Sequence, residues 1–383
     1  MASSSSFEVN QELAKYLFSE GSTLVMLNVP KGTDIGIDIK SWNIGENFRG
    51  IKMIPPGFHY IHYSAVDKFE EKSSRIGFIR WFKKAEFIVK RWDIREETLS
   101  SEPVSDEAIQ GLKDNLLDLD RYLGPYPYDI WKQWQELTNR IDSDIVDRCT
   151  PSCGYISSVL ELENVDDKSR IRGVDESRKR KRGLCLSVEQ KEEELLPQLK
   201  PKQGTDLKLT KLPNLQYPEG STPAEITKHL MDSSYTLDLL LSKLKNPIEV
   251  IGELQLAFVC FLVGQSLDAF EHWKLLVSLI CRADCAISVR RQIYTEFLRT
   301  LEVQLIWIPE EVLYDIVASN NFVYHNLRLL FSNIEANTDV DVRLKSEAVR
   351  MRDRISSKFT WDFSNLQEEG EEDCPVIVNL DGE

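Results

Sequence analysis

Short apolar runs separated by turn residues fill the N-terminal part of the chain. Leu24-Val25-Met26-Leu27-Asn28-Val29 stops at Pro30-Lys31-Gly32, a turn signal. From Thr33 to Ile39, Ile35, Ile37 and Ile39 alternate with Asp34, Gly36 and Asp38, the period-two pattern of a half-buried strand. Ile51–Ile54 ends at Pro55-Pro56-Gly57, and Phe58–Tyr63, Ile76–Phe82 and Phe87–Trp92 follow. Short β-branched and aromatic runs punctuated by Gly and Pro predict an antiparallel sheet or small sandwich. The period then lengthens. Ile109, Leu112, Leu116 and Leu119 predict a helix within Pro103–Leu123, capped by Ser105 or Asp106 and broken by Gly124-Pro125-Tyr126-Pro127. A further helix is expected over Ile130–Val146.

The C-terminal half is helical in pattern. Thr222-Pro223-Ala224-Glu225 places an N-cap Thr, a Pro at the first helical position and a Glu at the third. Ile226, Leu230, Leu237, Leu241 and Leu244 share the face that follows. Asn246-Pro247 interrupts, and Ile248–Val263 is apolar nearly all round, as expected of a helix enclosed by neighbours. Ala269–Cys281, Val289–Leu305, Pro309–Val317, Phe322–Phe331 and Val340–Phe359 are the remaining helical stretches, which together predict a bundle or stack. Between the two patterns, Asn164–Arg182 has too little apolar surface to offset its ordering entropy, and a mobile linker is expected over about 164–200. The expected organisation is α+β: a β-rich, sandwich-like domain with flanking helices over 1–155, a polar linker over 156–213, an all-α domain over 214–363 and an acidic tail over 364–383.

Composition narrows the function. The 383 residues carry 47 Lys and Arg against 62 Asp and Glu, a net charge of −15 that disfavours phosphate binding by the whole chain. No apolar run approaches the ~18 residues of a membrane span. The Ser-rich Met1–Asn10 lacks the basic start and apolar stretch of a secretory signal. Seven Cys, an odd number spread over a long chain, point to a reducing compartment. There is no dimer signal.

The search for catalytic chemistry is mostly negative. The chain has no phosphate loop ending in Gly-Lys-Ser/Thr, no Gly-x-Ser-x-Gly elbow and no His-Glu-x-x-His, so neither enzyme activity nor a cofactor is expected. His59 and His62 are three apart in a strand and fall on opposite faces, which suits packed or surface histidines better than a metal pair. His229, His272 and His325 are single histidines on expected helices. Cys149 and Cys153, with only Cys185 nearby, fall short of a zinc set, and Cys281 and Cys285 read as buried thiols one turn apart on one helical face. No metal site is expected.

Three features stand out. Arg178, Lys179, Arg180, Lys181 and Arg182 form an unbroken basic run in the linker, read first as a nuclear import signal, with a solvating run or direct RNA contact as the alternatives. Val376-Ile377-Val378-Asn379-Leu380, on an acidic leash, suits strand addition to a partner's sheet, docking on its own chain, or a free end. Arg75–Arg95 sets seven cations against two acids, interleaved with Phe78, Trp81, Phe82, Phe87 and Trp92. That segment reads chiefly as a hairpin with a wet cationic face, and secondly as a stacking surface for single-stranded RNA.

Longer blocks carry a resemblance. Leu27-Asn28-Val29-Pro30-Lys31-Gly32-Thr33, Phe48-Arg49-Gly50-Ile51-Lys52-Met53-Ile54-Pro55-Pro56-Gly57 and Leu123-Gly124-Pro125-Tyr126-Pro127 are similar to the Aar-two splicing factor homologue family. So are Pro218–His229, Gly252-Glu253-Leu254-Gln255, Ala269-Phe270-Glu271-His272-Trp273-Lys274 and Phe359-Thr360-Trp361-Asp362-Phe363. The resemblance implies a non-enzymatic assembly chaperone of the U-five small nuclear ribonucleoprotein. It would bind the RNase H-like and Jab/MPN domains of the Prp-eight scaffold and hold off the Brr-two helicase. The helical domain would be VHS-like, and Val376, Ile377, Val378 and Leu380 would form the added strand. Localisation in nucleus and cytoplasm follows from assembly of that particle. Ser169, Ser177 and Ser187, beside the basic run, are candidate phosphorylation sites for release. The rival expectation is an RNA-binding factor using 75–95 and the linker cations.

Overall fold

The computed structural model describes residues 17, 19–66, 71–159, 162–164, 199–202, 204–214, 216–308, 322–363 and 366. By contacts the chain divides into one compact unit of 1–131, 142–208 and 263–267, and another of 132–141, 209–262 and 268–383.

The first unit is built on two five-stranded sheets. Its strands are β1 (Ser22–Leu27), β2 (Asp34–Ile37), β3 (Lys40–Asn43), β4 (Gly50–Ile54), β5 (Gly57–Ser64), β6 (Ile76–Phe82), β7 (Phe87–Asp93) and β8 (Thr98–Leu99). Helices α1 (Asp106–Asp114) and α2 (Leu116–Asp120), strand β9 (Leu123–Pro125) and a 3-10 turn over Tyr128–Ile130 follow, then helix α3 (Trp131–Thr138), which from Lys132 on belongs to the second unit. Helix α4 (Ser143–Cys149) and strands β10 (Ile156–Ser157), β11 (Leu162–Asn164) and β12 (Leu199–Pro201) come next. One sheet runs β8-β7-β1-β4-β9 and the other β10-β6-β5-β2-β3, while β11 and β12 pair separately.

Leu24, Met26, Ile35, Ile37, Ile61, Tyr63, Phe82, Ile88 and Trp92 pack together between the sheets, with Tyr126 at one side. Alternate residues of β1 and β7 point the other way: Val25 and Val89 pack with Ile109 and Leu112 of α1. That two-sided burial explains why β1 reads as an unbroken apolar run. Gly50 permits the close pairing of β4 with β1, because a Cβ there would stand 2.0 Å from the Leu24 carbonyl oxygen.

Four local readings change. The run Thr33–Ile39 is not one half-buried strand: β2 ends at Ile37, the chain turns through Asp38 at φ 57° into β3, and both Asp34 and Asp38 are buried. The helix expected over Pro103–Leu123 breaks at Asn115, and Leu123 pairs in β9 beside Gly50. Ser105 caps α1, accepting from the Ala108 N–H. The helix expected over Ile130–Val146 divides into α3 and α4, with Asp142 capping the latter. Finally, β6 and β7 do not form a hairpin. β6 pairs antiparallel with β5, and β7 pairs parallel with β1 in the other sheet. The crossing at 83–86 is pinned at β1: Ser22 donates its hydroxyl to the Lys83 carbonyl, and the Ala85 N–H donates to the Glu20 carbonyl.

The second unit is helical: α5 (Pro223–Met231), α6 (Ser234–Leu241), α7 (Glu249–Leu262), α8 (Leu267–Cys281), α9 (Asp284–Val289), α10 (Arg291–Trp307), α11 (Phe322–Ala336) and α12 (Val342–Phe359). Helix α7 is buried from Glu249 to Cys260, as its apolar circumference demands. Its interior polar groups are all partnered. Gln255 accepts from the Arg140 N–H at 2.8 Å and donates to Asn139 Oδ1 at 2.9 Å. Glu253 accepts from the Thr210 N–H and hydroxyl at 3.0 and 2.6 Å. Trp273 Nε1 donates to Gln304 Oε1 at 2.8 Å. Helix α5 has its capping box but buries no residue, so Ile226 and Leu230 do not extend the face of Leu237 and Leu241. Cys281 ends α8 and Cys285 lies in α9, so they do not share a helix. The first is buried and the second exposed. Among the described residues no helix is long and apolar enough to cross a membrane, and no group of three or more His, Cys, Asp or Glu could hold a metal.

Candidate interaction surfaces

Two constellations in the β-rich unit could carry chemistry, and they differ in access. The first is buried. Asp38 Oδ2 lies 2.8 Å from His59 Nδ1 and accepts from the Tyr126 hydroxyl at 2.5 Å, while Oδ1 accepts from the Tyr60 N–H at 3.1 Å. His59 Nε2 is 2.8 Å from the Pro55 carbonyl oxygen. A carbonyl only accepts, so Nε2 carries a proton and both ring nitrogens are committed. The pair has the outline of a catalytic Asp–His dyad, but its side chains are wholly buried, and Nε2, the atom that would serve a nucleophile, is tied to the backbone. Burial and the Asp38 carboxylate push the Tyr126 phenol far above its ordinary range, keeping it a donor. This network ties Tyr126 to the β2–β3 turn and to β5.

Local sequence explains the assembly. Pro55-Pro56-Gly57 turns β4 into β5 and aims the Pro55 carbonyl at His59. Leu123-Gly124-Pro125 pairs with β4, which carries Tyr126 alongside. His62 projects from the opposite face of β5 to His59, against Gly36, where a Cβ would stand 2.1 Å from its ring. Burial, then the Arg75 charge, lower the His62 pKa to about 4.

The second constellation is open. A cleft of about 590 Å³ is lined by Phe78, Arg80, Trp81 and Lys83 from β6 and its exit, by Lys90 from β7, and by Ser100 and Ser101 after β8. Val146 and Asp147 of α4, with Cys153 and Tyr155, also line it, as does Glu86. Arg80 donates to Glu86 Oε1 at 2.6 Å, and its Nε is buried without an acceptor among the described residues. Lys90 lies 5.8 Å from the centre of the Phe78 ring. Burial, then the nearby Arg80, lower the Lys90 ammonium pKa.

The segment 75–95 was legible as basic and aromatic, but its arrangement was not. Phe82 and Trp92 are buried, Phe78 and Phe87 pack on the two cores, and Trp81 is half-buried at the cleft. Sequence reasoning missed Lys90 as a partly buried cation and missed the contribution of α4 and 153–155. The Thr150-Pro151-Ser152-Cys153-Gly154 turn was the available signal. The basic run Arg178, Lys179, Arg180, Lys181 and Arg182, the serines Ser169, Ser177 and Ser187, the tail residues Val376, Ile377, Val378 and Leu380, and the stretch 309–317 lie outside the described residues.

A two-sheet unit and a helical unit, the first holding a buried polar network and a cleft with Arg80, Lys83 and Lys90 on its lining, define a two-part α+β protein. The family model for the AAR2 N-terminal domain matches residues 20–151, and that for the AAR2 C-terminal repeat region matches 209–364. The Protein AAR2 homolog of Homo sapiens is 40% identical over 97% of both chains. That of Caenorhabditis elegans is 30% identical over 92% of this chain and 98% of its own. The A1 cistron-splicing factor AAR2 of Saccharomyces cerevisiae is 23% identical over 93% of this chain and 98% of its own. The chain belongs to the AAR2 family.

Proposed function

We propose that this chain is a non-enzymatic pre-mRNA splicing factor, an assembly chaperone of the U-five small nuclear ribonucleoprotein. The observation that carries the reading is end-to-end similarity to the AAR2 relatives, one of which is named a splicing factor. The partner we propose is the Prp-eight scaffold, through its RNase H-like and Jab/MPN domains. Residues 1–155 and a VHS-like 214–363 would supply the folded contacts, and 156–213 and 364–383 the connection and the tail. Val376, Ile377, Val378 and Leu380 would add a strand to the scaffold. Two contacts on one scaffold, joined covalently, raise the effective concentration of each and would keep the Brr-two helicase out until release. Phosphorylation at Ser169, Ser177 or Ser187 would set negative charge beside Arg178–Arg182 and favour that release. The same basic run would direct nuclear import of a protein that meets the particle in nucleus and cytoplasm.

The test is a titration of the full chain, and of the chain lacking 366–383, against a scaffold fragment holding both domains. The expected result is 1:1 binding that weakens by at least tenfold, about 1.4 kcal/mol, on truncation. Binding unchanged by truncation removes the tail from the mechanism. Absence of binding at micromolar concentrations overturns the reading.

A further inference from the structure

The outer edge of β6 is incompletely covered. On one side Ile76–Phe82 pairs with β5 along its length. On the other, β10 reaches only Ile76 and Gly77. From Phe78 to Phe82 no strand pairs on that side among the described residues. Five strand residues present about 17 Å of edge, room for a short extended peptide. Unpaired edges of this kind are what strand addition uses. In this protein the cleft of about 590 Å³ runs beside the edge, with Phe78, Arg80, Trp81 and Lys83 in its lining.

The charges of the cleft are unevenly partnered. Arg80 is paired with Glu86, which also accepts from the Lys83 N–H at 3.0 Å. Among the described residues the ammonium groups of Lys83 and Lys90 make no ion pair, although Lys90 is half-buried near Arg80. A half-buried ammonium facing a guanidinium is held at a desolvation and repulsion cost. An incoming carboxylate relieves both. Asp147 is the other carboxylate on the lining, so two cations outnumber it once Arg80 and Glu86 are paired.

We propose that the open edge of β6 docks an extended acidic peptide of a partner protein, which pairs its backbone along Phe78–Phe82 and sets its carboxylates against Lys83 and Lys90. Backbone pairing supplies affinity and the cations select for acidic side chains, while Trp81 and Tyr155 border the cleft with aromatic surface. Steering by the two cations operates against a chain of net charge −15, so recognition is local and strongest at low salt.

The experiment uses the full chain with fluorescent octapeptides of alternating Glu-Val and alternating Lys-Val, and a uridine oligomer as a third probe. The Glu-Val peptide is expected to bind saturably near 100 µM, with slowed amide exchange at Phe78–Phe82. The pair Lys83→Glu and Lys90→Glu is expected to weaken it at least tenfold. Lys83→Glu with Lys90→Met gives the same direction without burying a new carboxylate, and circular dichroism checks that both variants fold. No saturable binding, equal binding of the Lys-Val peptide, or affinity indifferent to both variants overturns the proposal. So does uridine binding that is tighter than that of the Glu-Val peptide and lost on the same substitutions. The probes are designed peptides, so the result is independent of the scaffold reading.

Discussion

Asp38 shows how much one buried carboxylate can hold. It takes up three hydrogen-bonding partners, from His59, Tyr126 and the Tyr60 backbone, in a left-handed conformation. Hydrogen bonds to a charged group contribute about 1.5–3 kcal/mol each, and stripping a buried charge of its partner costs about 3–5 kcal/mol. Such a network is retained because every member is satisfied. His62, on the opposite face of β5, bonds to the Asp38 backbone and lies near the Asp34 charge, but burial and the Arg75 charge outweigh both. Its pKa falls from 6.5 in the unfolded chain to about 4 in the fold. Between those values the unfolded chain takes up a proton that the folded chain refuses. Stability from this group is therefore complete above pH 6.5, declines as pH falls and is exhausted near pH 4. At about 1.4 kcal/mol per unit the loss is at most about 3.5 kcal/mol. Denaturant midpoints of the native chain and His62→Gln, followed across that window, are expected to converge toward acid, and parallel curves would refute the assignment. Neither role was readable from spacing. Asp38 looked solvent-facing because the alternation Asp34-Ile35-Gly36-Ile37-Asp38 is a local signal, whereas its partner Tyr126 lies 88 positions away.

Among the elements, α5 separates local propensity from tertiary support. Thr222 accepts from the Glu225 N–H, and the Glu225 carboxylate accepts from the Thr222 N–H at 2.8 Å, with Pro223 opening the helix. The motif was plain in the sequence because a cap is chemistry within four residues. Yet α5 buries none of its residues, so little packing reinforces the cap. Thr222→Ala is expected to cost about 1 kcal/mol, confined to this helix. Amide exchange should quicken across Pro223–Met231 while the global unfolding midpoint stays in place. A loss spread over the whole helical unit would show that α5 is coupled to the rest. α7 was legible for the opposite reason: an apolar circumference has no alternative to enclosure. The β6–β7 segment was not, because two adjacent strands of the same composition fit a hairpin or a crossing between sheets equally well. What decides is the partner, β5 for one and β1 for the other, and pairing across the chain leaves no local trace. The helix breaks at Asn115 and between α3 and α4 escaped for a related reason, since apolar spacing continues through them.

At the scale of the molecule, charge and the distribution of aromatic residues bear on one question together. A single-strand RNA platform needs bases stacked on open rings beside a continuous cationic track. The segment 75–95 has the right residues and the wrong layout. Its cations are divided between two sheets, Arg80 is paired with Glu86 and Lys84 with Glu20, and Phe82 and Trp92 are buried. Of its aromatics, Phe78 and Trp81 border the cleft, and Phe78 also packs on the core between the sheets. A phosphate chain approaching that cleft also meets a protein of net charge −15. Counterion release scales with the phosphates neutralised, and two accessible lysines give a salt slope of about −1.4 for a single strand. The full chain is therefore expected to bind a uridine oligomer with a Kd weaker than about 100 µM at ~150 mM salt, the weak end of non-specific association. Fluorescence anisotropy across a salt series measures both quantities. A submicromolar Kd, or a slope beyond about −4, would require several more phosphate contacts than this layout offers, and would move the functional reading from protein binding toward RNA.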